Sequence, residues 1–359
     1  MNCKDIVGGP RRWSSARRKL ISTQTLLPGI ETLVEFIVGL ALLLTGAEAL
    51  VRGAVRLARR LGWSPLVAGL VIVAFGTSAP ELAVGIAGAV DGHVSAALGN
   101  AIGSNLFNLL FILGLSALIV PIDVQSSIVR HHIPVLLLTG IGLWALSLNG
   151  YLGRLEGLLL CAAAAAYIVV SIRQSVSTDL LREDPSNQPA RSALIDPGLV
   201  VVGISFLALG AYWLTDAAPA VGALLGLDEF VVGLLMMSLG TSLPELASVI
   251  ASLRQRQADL ATGNIIGSCI FNLLAVIGAI SAISPDSVVV PQVVIIRELP
   301  LMLVAALLLL PLAISGKRLS RWEGLILFAA YIIFVLIVLI GPGSGDKDVN
   351  TVLDPIVNS

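Results

Sequence analysis

Apolar residues in this chain fall into long runs separated by short polar stretches. With about 20 apolar residues needed per bilayer crossing, the runs predict ten spans. The first five lie near 30–51, 65–89, 95–120, 132–149 and 155–172, and the second five near 197–225, 230–252, 259–283, 298–315 and 322–341. The pattern divides the chain into a polar basic lead (1–28), a first five-helix set (29–172), a polar linker (173–196), a second five-helix set (197–341) and a polar tail (342–359). The run Leu33–Val51 is too long for a signal-peptide core and no small-residue cleavage site follows it, so it is expected to stay as a span.

The two sets carry the same polar phrases. Gly76-Thr77-Ser78-Ala79-Pro80-Glu81 returns as Gly240-Thr241-Ser242-Leu243-Pro244-Glu245, and Gly103-Ser104-Asn105-Leu106-Phe107-Asn108 returns as Gly267-Ser268-Cys269-Ile270-Phe271-Asn272. The differences 245 − 81, 268 − 104 and 272 − 108 are all 164, so the chain is an internal duplication. Five predicted spans separate the copies. An odd number of crossings reverses orientation, which predicts an inverted-topology repeat with its site where the halves meet near the membrane midplane.

Composition agrees with a membrane protein. The chain is 56% hydrophobic and 13% charged, against about 25% charged residues in soluble domains. The net charge of −1 carries no argument for nucleic acid or acidic partners, and Cys3, Cys161 and Cys269 are too scattered for a disulfide framework or a metal cluster. Placing both termini outside puts thirteen basic residues on the cytoplasmic side (Arg52, Arg56, Arg59, Arg60, Arg130, Arg173, Arg182, Arg191, Arg254, Arg256, Lys317, Arg318, Arg321), linker included. The opposite side then holds three, Arg154, Arg297 and Lys347. That bias fits the positive-inside rule. The six basic residues of the lead (Lys4, Arg11, Arg12, Arg17, Arg18, Lys19) run against it.

Glu81 and Glu245 each fall near the middle of a predicted span, where an ionised carboxylate costs roughly 2.5–3.5 kcal/mol. A cation is the obvious compensation. Thr77 and Glu81 are spaced i, i+4 and Ser78 and Glu81 i, i+3, which puts three oxygens on one helix face. Ser104 and Asn108 offer a second polar face on the next span. Pro80 lacks an N–H and disturbs the turn before it, freeing backbone oxygen as a ligand in a place where only a cavity-facing backbone tolerates it. Over both halves the side chains offered are those of Glu81, Glu245, Thr77, Thr241, Ser78, Ser242, Ser104, Ser268, Asn108 and Asn272. All the donors are oxygen, which disfavours zinc, copper or iron and suits calcium, with about six to eight oxygen ligands, or sodium. Two carboxylates neutralise one divalent or two monovalent ions, and that equivalence is a physical basis for exchange.

The spacing Ser78-x-x-Glu81 and Ser242-x-x-Glu245 also matches a capping box with proline just inside the helix. The asparagines alone would serve as interhelical hydrogen-bonding partners. Glu48, Arg52 and Asp216 are expected as paired or snorkelling side chains near span ends, and Asp91, His93, His131 and His132 as solvated loop residues. The glycines of Gly99-Asn100, Gly103, Gly263-Asn264 and Gly267 are read as helix-packing positions, and Cys269 as packing.

On these paired phrases, including Gly99-Asn100-Ala101-Ile102-Gly103-Ser104-Asn105-Leu106-Phe107-Asn108 and its copy from Gly263, the chain resembles the sodium/calcium exchanger family of the cation/calcium antiporters. It is most similar to the compact prokaryotic type, since 173–196 leaves no room for a regulatory calcium-binding domain. The resemblance spans about 30 to 341. It implies an all-α integral membrane protein of ten transmembrane helices in two inverted repeats. The first and sixth helices would slide across the other eight. The ligand set implied is Ala74 (backbone), Thr77, Ser78, Glu81, Ser104 and Asn108, with Ser238 (backbone), Thr241, Ser242, Glu245, Ser268 and Asn272. Among relatives Asn272 is sometimes Asp, and here that charge is missing. The expected activity is antiport of Ca2+ against Na+ across a prokaryotic plasma (inner) membrane. Partners would be the lipid bilayer and the transported cations, with no enzymatic activity, no cofactor, no nucleic acid and no obligatory protein partner. Proton or potassium coupling, and less plausibly a channel with the glutamates as a selectivity ring, are the alternatives. An intramembrane hydrolase lacks its nucleophile–base pair.

Overall fold

A computed structural model describes residues 28–176, 192–215, 227–316 and 318–340. The lead, the middle of the linker, Asp216 and the tail lie outside these residues. Ten helical segments run in order: α1 (Pro28–Leu61), α2 (Pro65–Thr77 and Ala79–Asp91), α3 (Val94–Ile119), α4 (Ile128–Ser147), α5 (Arg154–Val176), α6 (Ser192–Thr215), α7 (Glu229–Arg254), α8 (Ala258–Ile283), α9 (Val294–Glu298 continuing as Leu299–Gly316) and α10 (Arg321–Ile340). The fold is the expected all-α membrane architecture. Among the described residues, eight helices are each long and apolar enough to cross a bilayer, and the two arms of α2, bent by 43°, make a ninth span. The remaining segment, α9, begins with the π-helical turn Val294–Glu298.

Several details depart from the sequence reading. Helix α1 runs on to Leu61, so Arg52, Arg56, Arg59 and Arg60 sit on its last turns and not in a loop. Glu48 and Arg52 pair along it at 2.7 Å, as expected of span-end charges. His132 is 4% exposed and shares a 3.2 Å hydrogen bond with Tyr167 Oη on α5, so it is no solvated loop residue. Arg297, assigned to a loop by its position, lies in the first turn of α9 and pairs at 2.6 Å with the fully buried Glu298.

Two short strand pairs fix the relation of the halves. β1 (Ile122–Asp123, after α3) pairs with β4 (Arg318–Leu319, before α10), and β2 (Tyr151–Leu152, after α4) pairs with β3 (Val288–Val289, after α8). The registers Ile122↔Leu319 and Leu152↔Val288 exchange under the duplication, since 288 − 122 is 166 and 319 − 152 is 167. Strands that pair must lie at the same end of the bundle. Six helices separate β1 from β4 and four separate β2 from β3, so both pairings require the even parity that ten crossings supply.

The apolar interior falls into two clusters. One joins α2–α5 with α7–α10. The smaller joins α1 and α6 through Leu43, Leu50, Val51, Val200 and Leu207, and rests on Ala68, Val73, Ala247, Ala251 and Leu260 of α2, α7 and α8. Glycine permits the close approach of α1 and α6: a Cβ at Gly46 would lie 2.9 Å from the Gly203 carbonyl oxygen, and one at Gly210 would lie 2.7 Å from that of Gly39. At one end, Arg60 Nε donates to Asp196 Oδ2 at 2.6 Å, tying the C-terminus of α1 to the N-terminus of α6.

Candidate functional site

Helices α2 and α7 both break at the repeated phrase. Ser78 (φ −83°, ψ 7°) and Ser242 (φ −90°, ψ 5°) leave helical geometry between two helical arms. Pro80 and Pro244 sit in the first turn of the second arm, where a missing N–H costs nothing because that turn has no partner for it. The N–H groups of Ser78 and Ser242 donate to the carbonyl oxygens of Ala74 and Ser238 at 2.9 and 3.0 Å. Opposite these breaks, α3 and α8 enter π-helical turns at Phe107–Ile112 and Asn272–Val276, a feature frequent at functional sites.

The four elements close on one another because α3 packs against α7, and α8 against α2, at glycine. A Cβ at Gly99 would lie 2.5 Å from the Phe230 carbonyl oxygen, and one at Gly263 would lie 2.5 Å from that of Leu66. These two contacts are copies of each other at the 164 offset.

The repeated side chains converge, and they pair across the halves. Ser78 Oγ donates to Glu245 Oε1 at 3.0 Å and Ser242 Oγ donates to Glu81 Oε1 at 3.0 Å. The capping box does not form: neither serine caps its own helix through its side chain. The hydroxyl reaches the carboxylate of the other repeat instead. Ser104 Oγ reaches Glu81 Oε1 at 3.4 Å, and Ser268 Oγ reaches Glu245 Oε1 at 3.3 Å. Thr77 and Ser268 hydroxyls stand 3.5 Å apart, as do those of Ser104 and Thr241. The hydroxyls of Thr77 and Thr241 also lie 3.4 and 3.5 Å from the carbonyl oxygens of Ala74 and Ser238.

All ten polar side chains named from the sequence are buried, both glutamates fully. Glu81 Oε2, Glu245 Oε2 and both amide atoms of Asn108 and of Asn272 have no hydrogen-bond partner among the described residues. The asparagines are therefore not interhelical hydrogen-bonding partners, which was the other reading of them. Buried unpartnered carboxylate oxygens cost several kcal/mol each unless a cation or a proton answers them. No group of three or more His, Cys, Asp or Glu forms among the described residues, so the site's charge resides in two carboxylates surrounded by hydroxyl and amide oxygens.

Sequence reasoning missed three residues here. Asn264 Oδ1 accepts from Thr77 Oγ1 at 3.1 Å, and Asn100 Oδ1 accepts from Thr241 Oγ1 at 3.0 Å. Asn264 Nδ2 donates to Ser248 Oγ at 2.6 Å. Asn100 and Asn264 repeat at the 164 offset, but from the sequence a role falls only to the glycines beside them. Ser248 has no polar counterpart in the first half, so the repeat could not flag it. Cys269 is fully buried, its Sγ 4.0 Å from the Asn105 carbonyl oxygen, in keeping with packing.

Two inverted helical halves that bring buried carboxylates into one polar pocket have the architecture of a secondary transporter of cations. Comparison with known proteins narrows the class. The chain belongs to the family described as sodium/calcium exchanger protein, whose profile matches residues 32–173 and 195–340. It is 35% identical over 307 residues to CaxA of Alkalimonas amylolytica, covering 82% of this chain and 95% of that protein. It is 32% identical over 259 residues to the inner membrane protein YrbG of Escherichia coli, covering 70% and 80%. The sodium-calcium exchanger NCX_Mj, solved after soaking with 10 mM Na+ and no Ca2+, superposes with a TM-score of 0.73 at 28% identity, covering 86% of this chain and 98% of that one.

Proposed function

We propose that this chain is a secondary antiporter that moves Ca2+ against Na+ by alternating access. The observation that carries the reading is the mirrored pair of carboxylates. Each has Oε1 held by serines of both halves, while Oε2 is buried with no hydrogen-bond partner among the described residues. The charge held there is balanced by one divalent ion or by two monovalent ions, so either load relieves the same electrostatic cost. Glu81 and Glu245 supply the charge. Thr77, Ser78, Ser104 and Asn108, with Thr241, Ser242, Ser268 and Asn272, supply neutral oxygen, and the carbonyls of Ala74 and Ser238 complete the set. Calcium accepts such a mixed, flexible oxygen shell, whereas magnesium demands stricter octahedral geometry and gives up water reluctantly.

Access would alternate by sliding of the α1–α6 pair over the other eight helices. Its glycine-lined contact and separate apolar cluster support this, since a pair packed on itself moves as one body. The chain would lie in a prokaryotic inner membrane with both termini outside, as the thirteen-to-three basic bias supports. Calcium uptake into liposomes containing the purified chain tests the reading. An outward-directed sodium gradient is expected to drive uptake, while a pH gradient or potassium alone is not. Uptake driven equally by protons would replace sodium in the scheme, and flux without any counter-ion would make the chain a channel.

A further inference from the structure

The two threonines of the site are held differently. A hydroxyl that coordinates a cation must send its proton elsewhere, because only its lone pairs attract the ion. Thr77 donates to Asn264 Oδ1 at 3.1 Å, and Thr241 donates to Asn100 Oδ1 at 3.0 Å. Each arrangement aims a lone pair away from the asparagine only while the amide keeps its oxygen toward the threonine. With the amide turned over, Nδ2 would face the threonine oxygen and compete for that lone pair.

In the second half the amide cannot turn freely. Asn264 Nδ2 donates to Ser248 Oγ at 2.6 Å, and Ser248 spends its own proton on the Glu245 carbonyl oxygen at 2.9 Å. Ser248 Oγ is thereby an acceptor and accepts only from the NH2 side of Asn264. In the first half the position related to 248 by the same 164 offset is Val84, which offers no acceptor. Asn100 Nδ2 is buried without a partner among the described residues.

We infer that Ser248 and Asn264 form a lock that fixes Thr77 as an ion ligand, and that Thr241, behind the unlocked Asn100, is the looser ligand of the pair. Ser248 is a positioning residue two hydrogen bonds removed from the ion. The inference rests on the ion site proposed above.

Isosteric substitutions separate the hydroxyl from its volume. In proteoliposomes of the full chain, Ser248→Val is expected to raise the KM for Ca2+ roughly 3- to 10-fold, the worth of about one hydrogen bond, with kcat changed less than about twofold. Ser248→Thr, the same shape with the hydroxyl kept, is expected to retain the wild-type KM, and Val84→Thr, which supplies the missing acceptor, to lower it. A merely structural role would move kcat and yield together and would not be rescued by threonine. A wild-type KM in Ser248→Val, or a KM in Ser248→Thr as high as in the valine variant, overturns the lock, and an unchanged KM in Val84→Thr overturns the claim that Thr241 is the looser ligand. Glu245→Gln run alongside tells the two failures apart: transport in that variant sinks the ion site itself, whereas its loss beside an unaffected Ser248→Val sinks the lock alone.

Discussion

The two halves of the molecule match where the carboxylates are gripped and diverge one layer out. At the centre, the cross-half bonds from Ser78 and Ser242 have the same length, and the supporting contacts from Ser104 and Ser268 agree to 0.1 Å. Away from the centre the copies part. Gln125 Nε2 bonds Asp259 Oδ2 at 2.5 Å across one end of the bundle. Their counterparts, Ser95 and Pro291, line a cavity of about 380 Å³ at the other end. Proline has no side-chain donor to close that gap. The turn after α7 holds Arg256 at φ 58°, where Gly92 holds φ 85° after α2. An arginine in the left-handed region costs about 1–2 kcal/mol, a strain that the first half avoids with glycine. Duplication thus kept the geometry around the two carboxylates alike and let the two ends of the bundle differ.

The comparison breaks most sharply at the carboxylates. Glu81→Gln and Glu245→Gln are each expected to abolish sodium-driven calcium uptake, with the proteins eluting as the wild type does in detergent. Transport surviving in one and not the other would mean the halves are unequal at their centre. A smaller and again matched effect is expected of Ser78→Ala and Ser242→Ala. Each removes a hydrogen bond to a charged group, worth about 1.5–3 kcal/mol, so calcium affinity measured by calorimetry should fall roughly 10- to 100-fold in both. Gly99→Ala and Gly263→Ala probe the scaffold. Each places a Cβ 2.5 Å from a carbonyl oxygen, and an equal loss of about 1–3 kcal/mol is expected, read as a lowered thermal midpoint in detergent. Unequal shifts would show that one helix crossing yields more easily. The smallest effect belongs to the divergent ends: Asp259→Ser should speed hydrogen exchange in residues 121–127 by releasing Gln125, with transport changed less than about twofold. Unaltered exchange there would show that the bond does not hold that end together.

Much of this was legible in the chain. Span length and apolar runs located the helices, most to within a few residues, because a bilayer imposes a length that composition must meet; α1 runs ten residues past its predicted end. The offset of 164 made the inversion a matter of parity. The same repetition named both glutamates and the hydroxyls beside them. Where the reading failed, local spacing had been asked to settle contacts between distant segments. Ser78 and Glu81 are spaced as a capping box, yet the serine bonds Glu245, because a break in α2 turns its hydroxyl toward α7. His132 looked like a loop residue beside Arg130 and His131, but packing of α4 on α5 buried it against Tyr167.

What the sequence determined alone was the set of costs: two charges in apolar spans, two prolines that interrupt helices, and a duplication that places them symmetrically. Only the tertiary structure decided who answers whom. Hydrogen bonds are directional and short, and the partners of Thr77, Ser78 and Asn264 lie 187, 167 and 16 residues away. The first two exist only after the halves have closed on their glycines, the third only once α7 and α8 have packed, and no periodicity along the chain encodes them.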